Sequence, residues 1–246
     1  MPGARIVRRP PEEAGHFQGR MGSVQVLVGP STGSERLLQR ILSLPPGASV
    51  NVGHPGVGHD VLYVAHGSGL LASAVREEHH RLGPGTGALV PCKVPASVHN
   101  TGLEELALIS VQSPPPFEGY FTLEAHDHPL TSLHEDDQES LPAGEDRSFK
   151  LLIESEHMTQ FVGLIDQSKA PPHTHTYEEA IYVLSGEGLV HAEGSTTPIR
   201  PGTSIFLPPG TTHCLENQGS EKLKLLGVFS PPGSPADKRE EPAVSD

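Results

Sequence analysis

Tryptophan is absent, and Phe and Tyr together make up only 4% of the residues, so an apolar core has to be assembled mainly from Leu, Val, Ile and Ala. Basic residues are also scarce: 17 Lys and Arg face 30 Asp and Glu, a formal charge of −13. Phosphate binding needs a basic footprint that these totals do not supply, so no nucleic-acid partner is expected. The negative charge favours solubility instead. Only two cysteines are present, Cys92 and Cys214, and they form no CxxC, which argues against a disulfide framework or a zinc knuckle and fits a reducing compartment. No run approaches the roughly 18 apolar residues of a membrane span. Arg5, Arg8 and Arg9 are followed by Pro10-Pro11-Glu12-Glu13 where a signal peptide would place its apolar stretch. The default expectation is a cytoplasmic protein with no membrane partner.

Glycine and proline, in contrast, are abundant, at 27 and 25 residues. They punctuate short apolar runs, as frequent turns between strands require, and the expected class is all-β. The 246 residues allow one large β domain or two of about 110 to 120 residues.

One stretch concentrates the chemistry. His173-Thr174-His175 is followed by Glu179, and Pro208-Pro209-Gly210-Thr211-Thr212-His213 closes the region. Three imidazoles and a carboxylate suit a divalent transition metal with coordination positions left open. In a strand, residues two apart share a face, so His173 and His175 can point to one interior. Glu179 opens the run Ala180-Ile181-Tyr182-Val183-Leu184, whose β-branched and apolar content predicts a strand ending at Ser185-Gly186-Glu187-Gly188.

With its gaps, the region reads His173-x-His175-x3-Glu179-x6-Gly186 and then Gly202-x5-Pro208-x-Gly210-x2-His213-x3-Asn217. Both resemble the two signature motifs of the cupins, with every position filled. The resemblance implies an antiparallel jelly-roll barrel (a double-stranded β-helix) in which His173, His175, Glu179 and His213 are metal ligands. Mn, Fe, Co, Ni and Zn all accept such a donor set.

A degenerate copy precedes this region. Asp60-Val61-Leu62-Tyr63-Val64-Ala65-His66-Gly67-Ser68-Gly69 lies over residues 179–188 at an offset of 119. The offset becomes 117 after the next hairpin and holds through Gly85/Gly202, Pro91/Pro208, Asn100/Asn217 and Ser113/Ser230. A fixed offset over about sixty residues is a tandem duplication, and the resemblance makes the chain a bicupin. In the first copy His54 lies over His173, but Gly56 replaces His175, Asp60 replaces Glu179 and Ala96 replaces His213. The first barrel is therefore expected to be structural. Recruiting His59 or His99 would need a side chain from the other strand face, so His54 and His66 default to packing or hydrogen bonding.

The expected organisation is an N-terminal arm over 1–20, a first cupin over 21–116, an acidic linker over 117–148, a second, metal-binding cupin over 149–232 and a disordered tail over 233–246. His126-Asp127-His128 lacks the matching Glu and Gly and belongs to the linker. Alternation places Ile181, Val183 and Leu215 on the pocket wall, and Tyr182, with its counterpart Tyr63, on the opposite face as packing residues. Cys214 reads as buried filler. Glu178 is an outer-shell acid or a solvated neighbour. Gly186, Gly202 and Gly210 are assigned to turns, and Asn217 to anchoring one through its amide.

Two functions remain. One is a metal-dependent enzyme acting on a small polar molecule that chelates through carboxylate or enediol oxygens, with dioxygenase, decarboxylase, isomerase or hydrolase chemistry implied by the resemblance. The other is a non-catalytic small-molecule binder or sensor. A sensor usually carries a DNA-binding domain, and no helix-turn-helix segment is evident, so the enzyme is preferred. Expected partners are a small-molecule substrate and, at most, a second copy in a homodimer.

Overall fold

A computed structural model describes residues 4–7, 22–54, 56–116 and 125–236. They form two compact units, one from Glu139 onward together with residues near the N-terminus and Thr32–Ser34, the other comprising the remaining residues up to Gln138. Each is a pair of antiparallel sheets. In the second unit one sheet runs Arg5–Val7, Ser204–Leu207, Glu178–Ser185, Leu223–Ser230, Thr159–Ile165, Arg147–Glu154 and Leu141–Pro142. The other runs Ser168–Lys169, His213–Asn217, Gly188–Ala192 and Ser195–Ile199. The first unit repeats this order: Thr131–His134, Thr86–Val90, His59–His66, Leu106–Ser113, Leu38–Leu44 and Ser23–Val28 in one sheet, and Ser49–Val52, Ala96–Asn100, Gly69–Ser73 and His79–Leu82 in the other. The tandem jelly roll expected from the duplicated motif is the observed architecture. No helix among the described residues is long and apolar enough to cross a membrane.

Strand alternation sets the two interiors. Along Glu178–Ser185 the residues Ile181 and Val183 join a buried cluster with Ile205, Leu207, Leu215 and Leu225. Along His59–His66, Leu62 and Val64 join the corresponding cluster with Leu42, Leu71, Val98 and Leu108. The turn anchors are duplicated too. Asn217 Nδ2 donates to the carbonyls of Ile165 and Glu221 at 2.9 and 2.8 Å while its Oδ1 accepts from Gly219 N–H. Asn100 makes the same three contacts with Leu44, Glu104 and Gly102.

Three expectations on the connecting segments are corrected. Within the arm, Arg5–Val7 is a strand paired with Ser204–Leu207; residues 1–3 and 8–20 lie outside the described residues. Within the acidic linker, Thr131–His134 pairs with Thr86–Val90, and Leu141–Pro142 pairs with Arg147–Glu154, while 117–124 lie outside the described residues. The physical reason is the same in both units: the outer strand of each large sheet presents an open row of N–H and C=O groups, and a segment from outside the repeat covers it. Of the tail assigned to 233–246, Gly233 is held in place, its N–H donating to Thr159 Oγ1 at 3.2 Å; residues 237–246 lie outside the described set.

The degenerate site is filled by protein. Asp60 is fully buried. Its carboxylate accepts from Ser110 Oγ at 2.7 Å, Gly53 N–H at 3.1 Å, Gln112 Nε2 at 3.2 Å and Arg40 Nη2 at 3.3 Å. By ladder register Arg40 holds the place of Phe161, and Ser110 that of Gly227. His54, also buried, accepts at Nδ1 from the backbone N–H groups of Gly56 and Gly58, which leaves Nε2–H to donate to Pro114 O at 2.9 Å. His66 is exposed beside Glu104, and His99 is exposed beside Ser97, so neither reaches this interior. Asp60→Ala should strip a partly buried guanidinium and two buried donors of their partner and cost about 3 kcal/mol. Denaturant unfolding of the full chain checks this, with the double variant Arg40→Leu, Asp60→Leu expected to lose less than Asp60→Ala alone.

Candidate metal and ligand site

In the second unit the equivalent interior is open. A cavity of about 330 Å³ is bordered by His173, His175, Glu179 and His213 on one side and by Phe149, Phe161, Tyr177 and Phe229 on another. Gly163 opens this space, and Gly227 admits the ring that walls it. A Cβ at Gly227 would run into the ring of Phe161, and Leu42 stands where Gly163 does in the first unit.

His173 and His213 are tied by reciprocal backbone hydrogen bonds, each 3.0 Å. The turn that delivers His213 is built around Gly210, whose φ of +75° suits glycine and whose N–H donates to His175 O at 2.8 Å. Ligand atoms of His175, Glu179 and His213 lie within 4.8 Å of one another. His173 stands beside this trio, its ring centroid 4.4 Å from that of His213 and 6.3 Å from that of His175.

The hydrogen bonds orient the imidazoles. Nδ1 of His175 faces Tyr177 O at 3.0 Å, Nδ1 of His213 faces Thr211 O at 2.9 Å, and Nδ1 of His173 faces Pro171 O at 3.3 Å. A carbonyl oxygen only accepts, so each Nδ1 carries the proton and each Nε2 presents a lone pair when the ring is neutral. His175 Nε2 then lies 2.9 Å from Glu179 Oε2, and His213 Nε2 lies 3.8 Å from the same oxygen. Two lone-pair bearers at 2.9 Å need a positive charge between them, either a proton on His175 or a cation. The donor set fits a divalent ion on that ground. Burial by itself would raise the Glu179 carboxyl, but the hydrogen bond from His175 and the charges of His175, His213 and His173 outweigh it and hold the group below its ordinary value.

Other expected residues fall as follows. Ile181 and Leu215 line the cavity, whereas Val183 is fully buried in the cluster beneath and does not reach the wall. Glu178 points to the opposite face, buried, and accepts from Ser34 Oγ at 2.6 Å, so it is neither a solvated neighbour nor a group at the cavity. Tyr182 is largely buried away from the cavity, and burial raises its hydroxyl pKa. Tyr63 donates to Glu135 Oε2 at 3.2 Å, and burial followed by the Glu135 charge raises it further. Cys214 is fully buried, with its thiol pKa raised by burial.

Two kinds of residue escaped the motif reading. Tyr177 stacks on His175 with centroids 4.2 Å apart and planes 14° apart. Arg147 borders the cavity and donates from Nη2 to Leu215 O at 2.9 Å. Neither lies at a signature position, and Arg147 comes from a strand in the segment read as linker. Pro232 to Pro235, at the border of the expected tail, also line the opening.

A family model described as a cupin domain matches residues 161–229. The oxalate-binding protein of Thermotoga maritima is 36% identical over 85 residues, 32% of this chain and 70% of that protein. MJ1618 of Methanocaldococcus jannaschii is 39% identical over 71 residues, 28% of this chain and 57% of that protein, so less than two thirds of its length is spanned. L-ectoine synthase of Aliivibrio fischeri is 27% identical over 101 residues, 39% of this chain and 79% of that protein. Among solved structures, Ylba from E. coli superposes with a TM-score of 0.69 at 16% identity, covering 93% of this chain and 91% of that one. Oxalate decarboxylase from Bacillus subtilis gives 0.72 at 15% identity, covering 90% and 75%. At such identities these two show the fold alone, across both repeats.

A lowered carboxyl contributes stability above its ordinary value, about 4.5, and loses it as pH falls through the lowered value. In metal-free protein the stability difference between wild type and Glu179→Gln should therefore be full at pH 7 and close progressively below about pH 4.5. Chemical denaturation from pH 7 to 3 measures it; a difference that stays constant would refute the pairing.

Proposed function

The chain belongs to the cupin family, and from that premise we propose that its second barrel is a divalent-metal-dependent enzyme site for a small chelating molecule, such as a carboxylate or an enolisable ketone. The observation that carries the proposal is the fixed tautomer of His175, which turns an Nε2 lone pair onto the buried carboxylate of Glu179 at 2.9 Å. His175, Glu179 and His213 supply three donors, and His173, adjacent to His213 and part of the same motif, is the fourth. Such an ion, of the Mn, Fe, Co, Ni or Zn group, supplies Lewis acidity and open positions for a chelator when bound.

The chain's own groups do the rest. The backbone carbonyls of Pro171, Tyr177 and Thr211 keep the three Nδ1 protons in place, so the donors are oriented before anything binds. Ile181 and Leu215 give the site an apolar floor, which weakens screening and strengthens the pull of any charge there. Arg147 is the one guanidinium among the described residues bordering the cavity, and it gives an anionic molecule a counter-charge. The class of reaction stays within dioxygenase, decarboxylase, isomerase or hydrolase chemistry. A non-catalytic binder is the second reading, supported by the 36% identity to a protein named for binding oxalate.

Elemental analysis of untagged protein should give about one metal per chain, falling towards zero in His175→Ala and His213→Ala. A ratio near two that survives both substitutions would refute the assignment. Because the imidazoles must be neutral to coordinate, metal release should set in as pH falls below about 6. Glu179→Gln, which keeps an oxygen donor but removes its charge, should lower turnover more than metal occupancy. Tight binding of chelating carboxylates without conversion, across all five metals and with or without oxygen, would replace the enzyme by the binder.

A further inference from the structure

The half of the cavity that the metal reading leaves unused is aromatic. From His175 a chain of rings runs across it: Tyr177 stacks on His175, Phe229 lies 4.3 Å from Tyr177, Phe161 lies 4.8 Å from Phe229, and Phe149 packs edge-on at 6.2 Å from Phe161. The whole sequence holds seven Phe, four Tyr and no Trp, so three Phe and one Tyr at one cavity gather over a third of its aromatic side chains.

The internal repeat separates a packing role from a ligand role. At the same ladder positions the first unit has Arg40 for Phe161, Gln112 for Phe229 and Val24 for Phe149, and the sequence offset gives Gly58 for Tyr177. That barrel closes and packs without any of the four rings. The aromatics accompany the histidine cluster, not the jelly roll as such. Size points the same way: about 330 Å³ is at the lower end of the range of ~300–1,000 Å³ for pockets that enclose drug-sized molecules, and a two-carbon diacid would leave most of the aromatic half in contact with water.

Resting on the metal reading above, we infer that the ligand of this cavity carries a flat aryl or other planar unsaturated group joined through no more than one carbon to its chelating head. The head sits at the histidine cluster and the ring lies against the face that Tyr177, Phe229 and Phe161 together present to the cavity, where stacked and edge-on contacts are available. Gly163, which carries no side chain where the first unit has Leu42, leaves room for it, and Gly227 lets the Phe161 ring lie against the strand. The acidic head also matches the guanidinium of Arg147 on the lining.

A matched pair of probes isolates the ring. The full chain is loaded with zinc, which is redox-inert, and pyruvate and phenylpyruvate are titrated calorimetrically under anaerobic conditions, with zinc content measured on the same samples. Phenylpyruvate is expected to bind about tenfold tighter or more. Phe161→Leu and Phe229→Leu should each reduce that preference by about threefold or more while zinc content and pyruvate affinity hold. Equal affinities for the two acids with one zinc per chain would overturn the aryl inference and leave the metal reading standing. A preference that survives in both variants would place the ring elsewhere and overturn it as well. Wild-type protein that takes up no zinc would overturn both.

Discussion

A carboxylate buried at the same ladder position in both barrels is the constraint from which much else follows. Removing a charge from water costs several kcal/mol unless a partner compensates it, and the two halves compensate it with opposite chemistry. In the first unit Arg40 reaches Asp60, while Ser110, Gln112 and Gly53 complete its hydrogen bonds. In the second unit no guanidinium fills the position of Arg40; Phe161 does, and Glu179 faces only imidazoles whose outer protons are committed to backbone carbonyls. The first arrangement is closed and self-sufficient. The second leaves the compensating charge to a proton on His175 or to a metal ion, and in the proposed reading that difference separates a scaffold from a site.

Space follows charge. Gly163 in place of Leu42 opens the second interior, and the ring of Phe161 lies over Gly227 because no Cβ is there. A well-packed interior does not tolerate such a void unless something fills it. The cavity is therefore coupled to the histidine cluster through the backbone as much as through the ligands, since Gly227 stands in the strand directly paired with that of Ile181.

The segments outside the repeat contribute more than connection. Arg5–Val7 and Thr131–His134 close equivalent sheet edges although they come from unrelated parts of the sequence. Arg147 begins a strand that the acidic composition of its neighbourhood concealed, and the Pro-Pro-Gly-Ser-Pro run after Ser230 borders the cavity mouth. Low hydropathy and proline content describe how a segment behaves when nothing is near it; an open edge or a cavity rim supplies partners that composition does not register.

The duplication and the all-β class were legible in the residues. Of the motif's four residues, His173, His175, Glu179 and His213, the fold brings the ligand atoms of the last three within 4.8 Å with His173 beside them, because a period of two in each strand and turns at fixed glycines and prolines leave few ways to aim those side chains. The sequence by itself also determined that the first copy lacks the donors, since Gly56 and Ala96 have nothing to offer a metal. Tertiary structure alone decided the direction of Glu178, which strand alternation turns toward Ser34, and the depth of Val183, which lies below the wall. It alone joined Phe149, Phe161, Tyr177 and Phe229, which are separated by up to eighty residues in the chain and become neighbours only when three paired strands and the loop after the histidine motif are brought together. Ligand motifs are legible because their chemistry fixes residue type and spacing; an apolar wall is not, because any large side chain satisfies the strand pattern and only the closed barrel selects which ones meet.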